Sequence, residues 1–126
     1  MQIILVLTAL IVSTFATLTS DSSVTPIALY NNNCEGSSRC SHSHVSNCET
    51  AIASVDPGAT YYDKDSFSVG HCYMVYNTNG AGSYPVSGQT IIDTANTILS
   101  TCSKACGSYS TNNDCATCHV TLNYRA

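Results

Sequence analysis

Cys115, Cys118 and His119, in the string CATCH at positions 115–119, have the C-x-x-C-H spacing that attaches haem covalently in c-type cytochromes. A second dense group, Cys40, His42, His44 and Cys48, offers the nitrogen and sulfur donors that zinc favours, although its spacing fits no standard finger. A thiolate beside His71 or His119 would supply a third chemistry, nucleophilic attack, and that requires a reduced cysteine. Serines are abundant, yet none sits in a G-x-S-x-G elbow. Haem, zinc and thiolate chemistry all depend on the state of the sulfur, so the cysteines must be read as a set.

All eight cysteines lie between Cys34 and Cys118, an even number. At the front of the chain, MQIILVLTALIVSTFATLTS contains no charged side chain, and its apolar run from Ile3 to Phe15 is shorter than the ~20 residues that span a bilayer. Such a run suits the core of a secretory signal, and the small Thr14 and Ala16 place cleavage after Ala16. Residues 1–16 are therefore expected to be a signal peptide and 17–126 one secreted domain. In an oxidising compartment the eight thiols become four disulfides, which supplement a modest core in a chain that has no Trp and only two Phe, Phe15 and Phe67. Oxidation removes the sulfur that haem, zinc or nucleophilic catalysis would need. A haem would also require a second axial ligand, with Met74 the sole methionine expected to survive maturation. No cofactor, no metal and no enzymatic activity are expected. Four basic against eight acidic side chains, a net charge of −4, argue against nucleic acid or anionic lipid as the main partner.

The elements that would position these groups follow from periodicity. Val24 to Tyr30 reads as an edge strand that tolerates Pro26. Ser46 and Glu49 spell a capping box, and Cys48, Ile52 and Val55 form the buried stripe of a short helix that ends at Asp56, Pro57 and Gly58. Ser66 to Asn77 alternates like a strand covered on both faces, and NTNGAG at 77–82 is a turn. A longer helix begins at Ser87 or Gly88, carries Ile91, Ile92, Ala95, Ile98, Leu99 and Cys102 on one side, and is expected to run past Cys106 to Gly107. Thr117 to Tyr124 closes the chain as a strand, with Cys118, Val120, Leu122 and Tyr124 on one face.

Three ordered strings carry a resemblance: NCEGSSRC from Asn33 to Cys40, Cys106-Gly107-Ser108 after the amphipathic helix, and the ending from Asn113-Asp114 through Thr121-Leu122-Asn123-Tyr124. Over residues 33–124 the chain resembles the killer protein 4 family, small secreted toxins encoded by a virus of smut fungi and by relatives in fungal genomes. Asn47-Cys48-Glu49, Gly70-His71-Cys72 and the stretch from Gly88 to Asp93 are also similar to related secreted necrosis-inducing effectors of plant-associated fungi.

The resemblance implies a small disulfide-rich α+β sandwich, with an antiparallel sheet of about five strands, two helices on one face and split β-α-β topology. It implies a secreted protein, expected as a monomer, that inhibits competing fungi without turnover, in the best-known branch by interfering with calcium channels. That mode is associated with exposed basic residues, and here Gly70 stands two before Cys72, where a lysine would be expected. Arg39, Lys64 and Lys104 become the candidate target-binding residues, with Arg39 first because its planar guanidinium makes a directed fork of hydrogen bonds. The alternatives are a plant-directed effector that modulates host cell responses and a protein that binds cell wall through tyrosines and a polar surface. In each case the partner is a cell-surface target on fungal or plant cells.

Cys34 and Cys40 are six apart, and Cys102 and Cys106 would project from adjacent turns of one helix. That suits two parallel staples, Cys34–Cys102 and Cys40–Cys106. Cys48–Cys72 would then tie the first helix to the long strand, leaving Cys115–Cys118.

Overall fold

The structure is a computed structural model that describes residues 30–126. The expected signal peptide, and Val24 to Leu29 of the expected first strand, lie outside the described residues.

A short 3-10 turn at His42–His44 leads directly into α1 (Val45–Ala53). Its cap is Ser41, whose hydroxyl accepts from the Ser43 N–H while the Ser41 N–H donates to His44 Nδ1 at 3.2 Å. This is a capping box with histidine in the place usually held by Glu or Gln. The expected box at Ser46 and Glu49 is not used, because Ser41 and His44 satisfy the leading donors a turn earlier and Ser46 already lies within α1. The buried stripe is the expected one, with Cys48, Ile52 and Val55 facing inward together with Ala51.

β1 (Thr60–Tyr61) precedes β2 (Cys72–Asn77), and the chain between them corrects the single strand expected over Ser66–Asn77. Val69 and Cys72 exchange backbone hydrogen bonds, Ser66 bridges to Val75, and Lys64 N–H reaches the Tyr76 carbonyl. The segment is therefore folded back on itself. Gly70, at φ +54, opens the two-residue turn in the left-handed region that hairpin turns require. Alternation of side chains gave no sign of the fold-back, since two short antiparallel runs alternate as one long strand does.

After the turn at Asn79 and Gly80, β3 (Val86–Ser87) enters α2 (Gly88–Thr101), capped by the Ser87 hydroxyl, which accepts from Thr90 N–H at 3.1 Å. Gly88 is demanded by space, since a Cβ there would run into the Asp56 carbonyl. α2 ends at Thr101, a turn before the expected end, and Cys102 is already extended. The early stop lets the chain turn through Ala105, at φ +55, and enter β4 (Gly107–Ser110) instead of spending Gly107 as a helix terminator. Gly107 packs where a Cβ would meet the Asn33 carbonyl and Cys102 Sγ, so the Asn33 segment can pair with Ser108 through two hydrogen bonds of 2.9 and 3.0 Å.

β5 (His119–Tyr124) is the centre of an antiparallel sheet ordered β2-β5-β4, while β1 and β3 form a separate two-stranded ribbon. The five strands are thus shared between two sheets. Register places Met74 opposite Leu122 and Tyr76 opposite Val120, and these residues bury one face against Ile91, Ala95 and Ile98 of α2 and Cys48, Ala51 and Ile52 of α1. Removing that apolar surface from water is the main stabilising term. Tyr76 is fully buried and donates its hydroxyl to the Tyr84 carbonyl at 2.7 Å, and burial pushes its phenol pKa up.

Four disulfides join Cys34–Cys102, Cys40–Cys106, Cys48–Cys72 and Cys115–Cys118, the same partners as in the scheme drawn from spacing. The molecule is a small disulfide-rich α+β fold with two helices and antiparallel sheets. Among the described residues no helix is long and apolar enough to cross a membrane.

Candidate contact surface at the double staple

The chemistries suggested by the cysteines and histidines can now be placed. Cys115 and Cys118 are bonded to each other, so neither sulfur is free for a thioether. His119 is buried beside them, with Nδ1 2.9 Å from the Thr117 carbonyl and its ring stacked 4.0 Å from that of Tyr30. Of Cys40, His42, His44 and Cys48, the two cysteines are bonded elsewhere, to Cys106 and Cys72, and His42 is exposed. His44 has a different neighbourhood. Its Nδ1 accepts from Ser41 N–H, which leaves the proton on Nε2, and Nε2 lies 3.5 Å from Cys106 Sγ. Donor atoms of Cys40, His44 and Cys106 fall within 4.8 Å of one another, but the two sulfurs are already joined.

The three candidate target-binding residues do not come together. Lys64 sits at φ +68 beyond the Asn77 end of β2, where its N–H binds the Tyr76 carbonyl. Arg39 and Lys104 lie at the opposite end, around the Cys40–Cys106 bond. Lys104 lines a cleft of about 460 Å³ with Glu35, Ser37, Ser38 and that disulfide. Arg39 immediately precedes Cys40 and places its guanidinium carbon 5.9 Å above the Tyr124 ring, within cation–π range.

Tyr124 organises this end. His71 stacks on it at 5.1 Å, and His44 meets it edge-on at 6.0 Å. His71 Nδ1 donates to the Arg125 carbonyl at 3.0 Å, while Arg125 returns its N–H to the His71 carbonyl and its Nε–H to the Gly70 carbonyl. Three of the four basic side chains of the protein, Arg39, Lys104 and Arg125, therefore share one end. Arg125 was not among the target-binding candidates. Sequence gave no reason to pair it with Gly70, since that contact depends on the hairpin fold-back.

The loop that carries Arg39 is clamped at both ends. Cys34 and Cys40 are bonded to α2 and β4 flanks, and Asn123 Oδ1 accepts from Ser37 N–H at 2.8 Å. Gly36 is required there because a Cβ would crowd Cys106 Cβ, Cys40 Sγ and Asn123 Oδ1. The Arg39 N–H is held by Ser37 Oγ at 3.2 Å. Among the described residues the guanidinium has no carboxylate partner, and Arg39 is exposed on a backbone held by the neighbouring disulfides. Such an arrangement can bind an anionic or strongly polar acceptor. The nearby sulfurs are oxidised and cannot act as thiolate nucleophiles.

Residues 32–126 match the meiotically up-regulated gene family (MU117). No curated protein matches the chain. The family match overturns the killer protein 4 resemblance: it covers the same stretch of chain and assigns it to a different family.

Proposed function

We propose that the chain, which belongs to the meiotically up-regulated gene family, is a secreted binding protein that acts without turnover and presents Arg39 and Lys104 to an acidic group on a cell-surface target. The observation that carries this reading is the placement of both cations beside the Cys40–Cys106 bond, Arg39 on the Cys34–Cys40 loop and Lys104 on the Cys102–Cys106 segment that two disulfides join to it. Preorganisation of this kind lowers the ordering penalty of binding. Four disulfides suit an oxidising, extracellular setting. The histidines best placed for chemistry, His44, His71 and His119, are held in hydrogen bonds and ring contacts that serve structure, which supports binding over catalysis. Interference with a calcium channel rested on the killer resemblance and is not carried forward.

The test uses oxidised protein lacking residues 1–16, labelled and applied to fungal cells and to plant leaf tissue. Arg39→Ala and Lys104→Ala are each expected to weaken cell binding about tenfold, and rising salt is expected to weaken the parent in the same direction. Lys64→Ala, at the other end, should bind as the parent does. Full binding by the Arg39→Ala, Lys104→Ala double variant would overturn the reading. Growth inhibition of fungi and cell death in leaves, scored beside binding, separate the antifungal from the plant-directed outcome.

A further inference from the structure

Away from the double staple, a second cleft of about 370 Å³ runs between one face of α2 and the start of the β4–β5 connection. It shares no lining residue with the cationic cleft. Its volume lies within the range of small-molecule sites.

The two walls have opposite hydrogen-bonding character. On the helix side, Asp93 Oδ1 accepts from Gln89 Nε2 at 2.8 Å, which fixes the carboxylate and leaves Oδ2 open. Thr94 and Thr97 donate their hydroxyls to the carbonyls of Thr90 and Asp93, so their oxygens present lone pairs outward. On the strand side, Asn32 Oδ1 accepts from Ser110 N–H at 2.7 Å and Asn112 Oδ1 from the Ser110 hydroxyl at 3.1 Å. Both amides have spent an acceptor and keep their NH2 donors. Asn112 holds this pose at φ +50, tied down by its N–H to Ser110 Oγ. Tyr109, half-buried, adds an aromatic surface.

An acceptor wall facing a donor wall suits a ligand whose neighbouring groups both give and take hydrogen bonds. Vicinal hydroxyls do so, and the C–H face of a sugar ring rests well on an aromatic side chain. No basic side chain lines the cleft and Asp93 would repel an anion, so phosphates and acidic sugars are disfavoured. The lining also lacks the aliphatic anchors that a hydrophobic ligand requires. Helix stability does not call for this surface, since Thr90, Thr94 and Thr97 are poor helix formers placed where Ala, Lys or Glu would serve better.

We infer that the cleft between α2 and β4 binds a neutral pyranoside, as a unit of a wall polysaccharide. The probes are laminarihexaose, a glucan fragment, and chitohexaose, an N-acetylglucosamine oligomer, titrated into the isotopically labelled, oxidised protein and followed by amide chemical shifts. Saturable shifts confined to residues 90–97 and 109–112 are expected with at least one probe, and which probe acts names the source. Asp93→Ala should weaken that binding about tenfold and Thr97→Ala measurably less, with the amide spectrum elsewhere unchanged. Arg39→Ala should leave it intact, which separates this site from the cationic surface. Absence of saturation with both probes, binding that survives Asp93→Ala, or shifts centred on Arg39 and Lys104 would overturn the inference.

Discussion

Removal of the two long staples, singly and together, tests how the disulfides hold this fold. Cys34–Cys102 and Cys40–Cys106 span 68 and 66 residues, so either one alone closes a loop worth about 4.4 kcal/mol in the chain-entropy description. They are not independent. With one in place, the other closes only a ring of about ten residues, built from the six chain steps from Cys34 to Cys40 and the four from Cys102 to Cys106, and that ring is worth about 2.7 kcal/mol. Replacing either pair by alanine should therefore cost about 2.7 kcal/mol, and replacing both about 7 kcal/mol, more than twice the single loss. The Cys40–Cys106 pair should cost about 1 kcal/mol more than its neighbour, because His44 Nε2–H loses its sulfur partner in a buried setting. Urea unfolding followed by far-UV circular dichroism under non-reducing conditions measures all three variants against the parent. Single losses near 4.4 kcal/mol with an additive double variant would show that the staples constrain the unfolded chain independently, and the reasoning from their nesting would fail.

Gly88→Ala should destabilise by about 3 kcal/mol or more, read by the same unfolding assay, because the new methyl must displace the Asp56 backbone from the start of α2. Asp63 gives a pH signature. Thr78 N–H, 2.8 Å from its Oδ1, holds the carboxyl below its ordinary value of 3.8, against a partial burial that acts upward. The contribution is complete above the unfolded-state value and is lost as pH falls through the lower folded value. Asp63→Asn keeps an acceptor for Thr78 but no longer titrates, so its urea midpoint should fall less than that of the parent between about pH 5 and pH 2.

Much of the scaffold was legible because its determinants are local. The stripe of Cys48, Ile52 and Val55 and the inward run of α2 are read off a 3.6-residue period; the first is buried as expected, and in the second Ile91, Ala95, Ile98 and Cys102 are buried while Ile92 and Leu99 are half-buried at its edge. What escaped was set by partners distant in sequence. Ser41 outcompetes Ser46 as a cap because His44, pinned against Cys106, can return the bond. α2 stops at Thr101 because Cys102 must reach Cys34 and Gly107 must admit the Asn33 carbonyl. The disulfide partners matched even though the helix that was to display Cys102 and Cys106 ends before both, since a tight turn at Ala105 brings the two sulfurs to the same side as a helical turn would. Of the contact surface, Arg39 and Lys104 were visible as scarce cations, whereas their separation from Lys64 required the hairpin and the sheet register.

The same geometry shows what the strings first read as a killer-protein likeness do in this chain of the meiotically up-regulated gene family. The strings that carried the likeness are those that build the double staple. In NCEGSSRC, Asn33 pairs with Ser108, Gly36 makes room for Cys106 and Asn123, and the two cysteines reach the end of α2 and the start of β4. In CGS, Gly107 tolerates the Asn33 carbonyl, and Ser108 bonds Thr121 across the sheet at 2.6 Å. In TLNY, Asn123 caps the Ser37 N–H and Tyr124 receives Arg39. Asn33, Cys34, Gly36, Cys40, Gly107 and Asn123 are thus demanded by closure of one loop on one strand. Spacing of this kind specifies a scaffold. In the proposed reading, function is set by what the two clefts display, and Arg39 and Lys104 on one side and Asp93 and Asn112 on the other are the residues whose substitution is expected to change recognition without unfolding the frame.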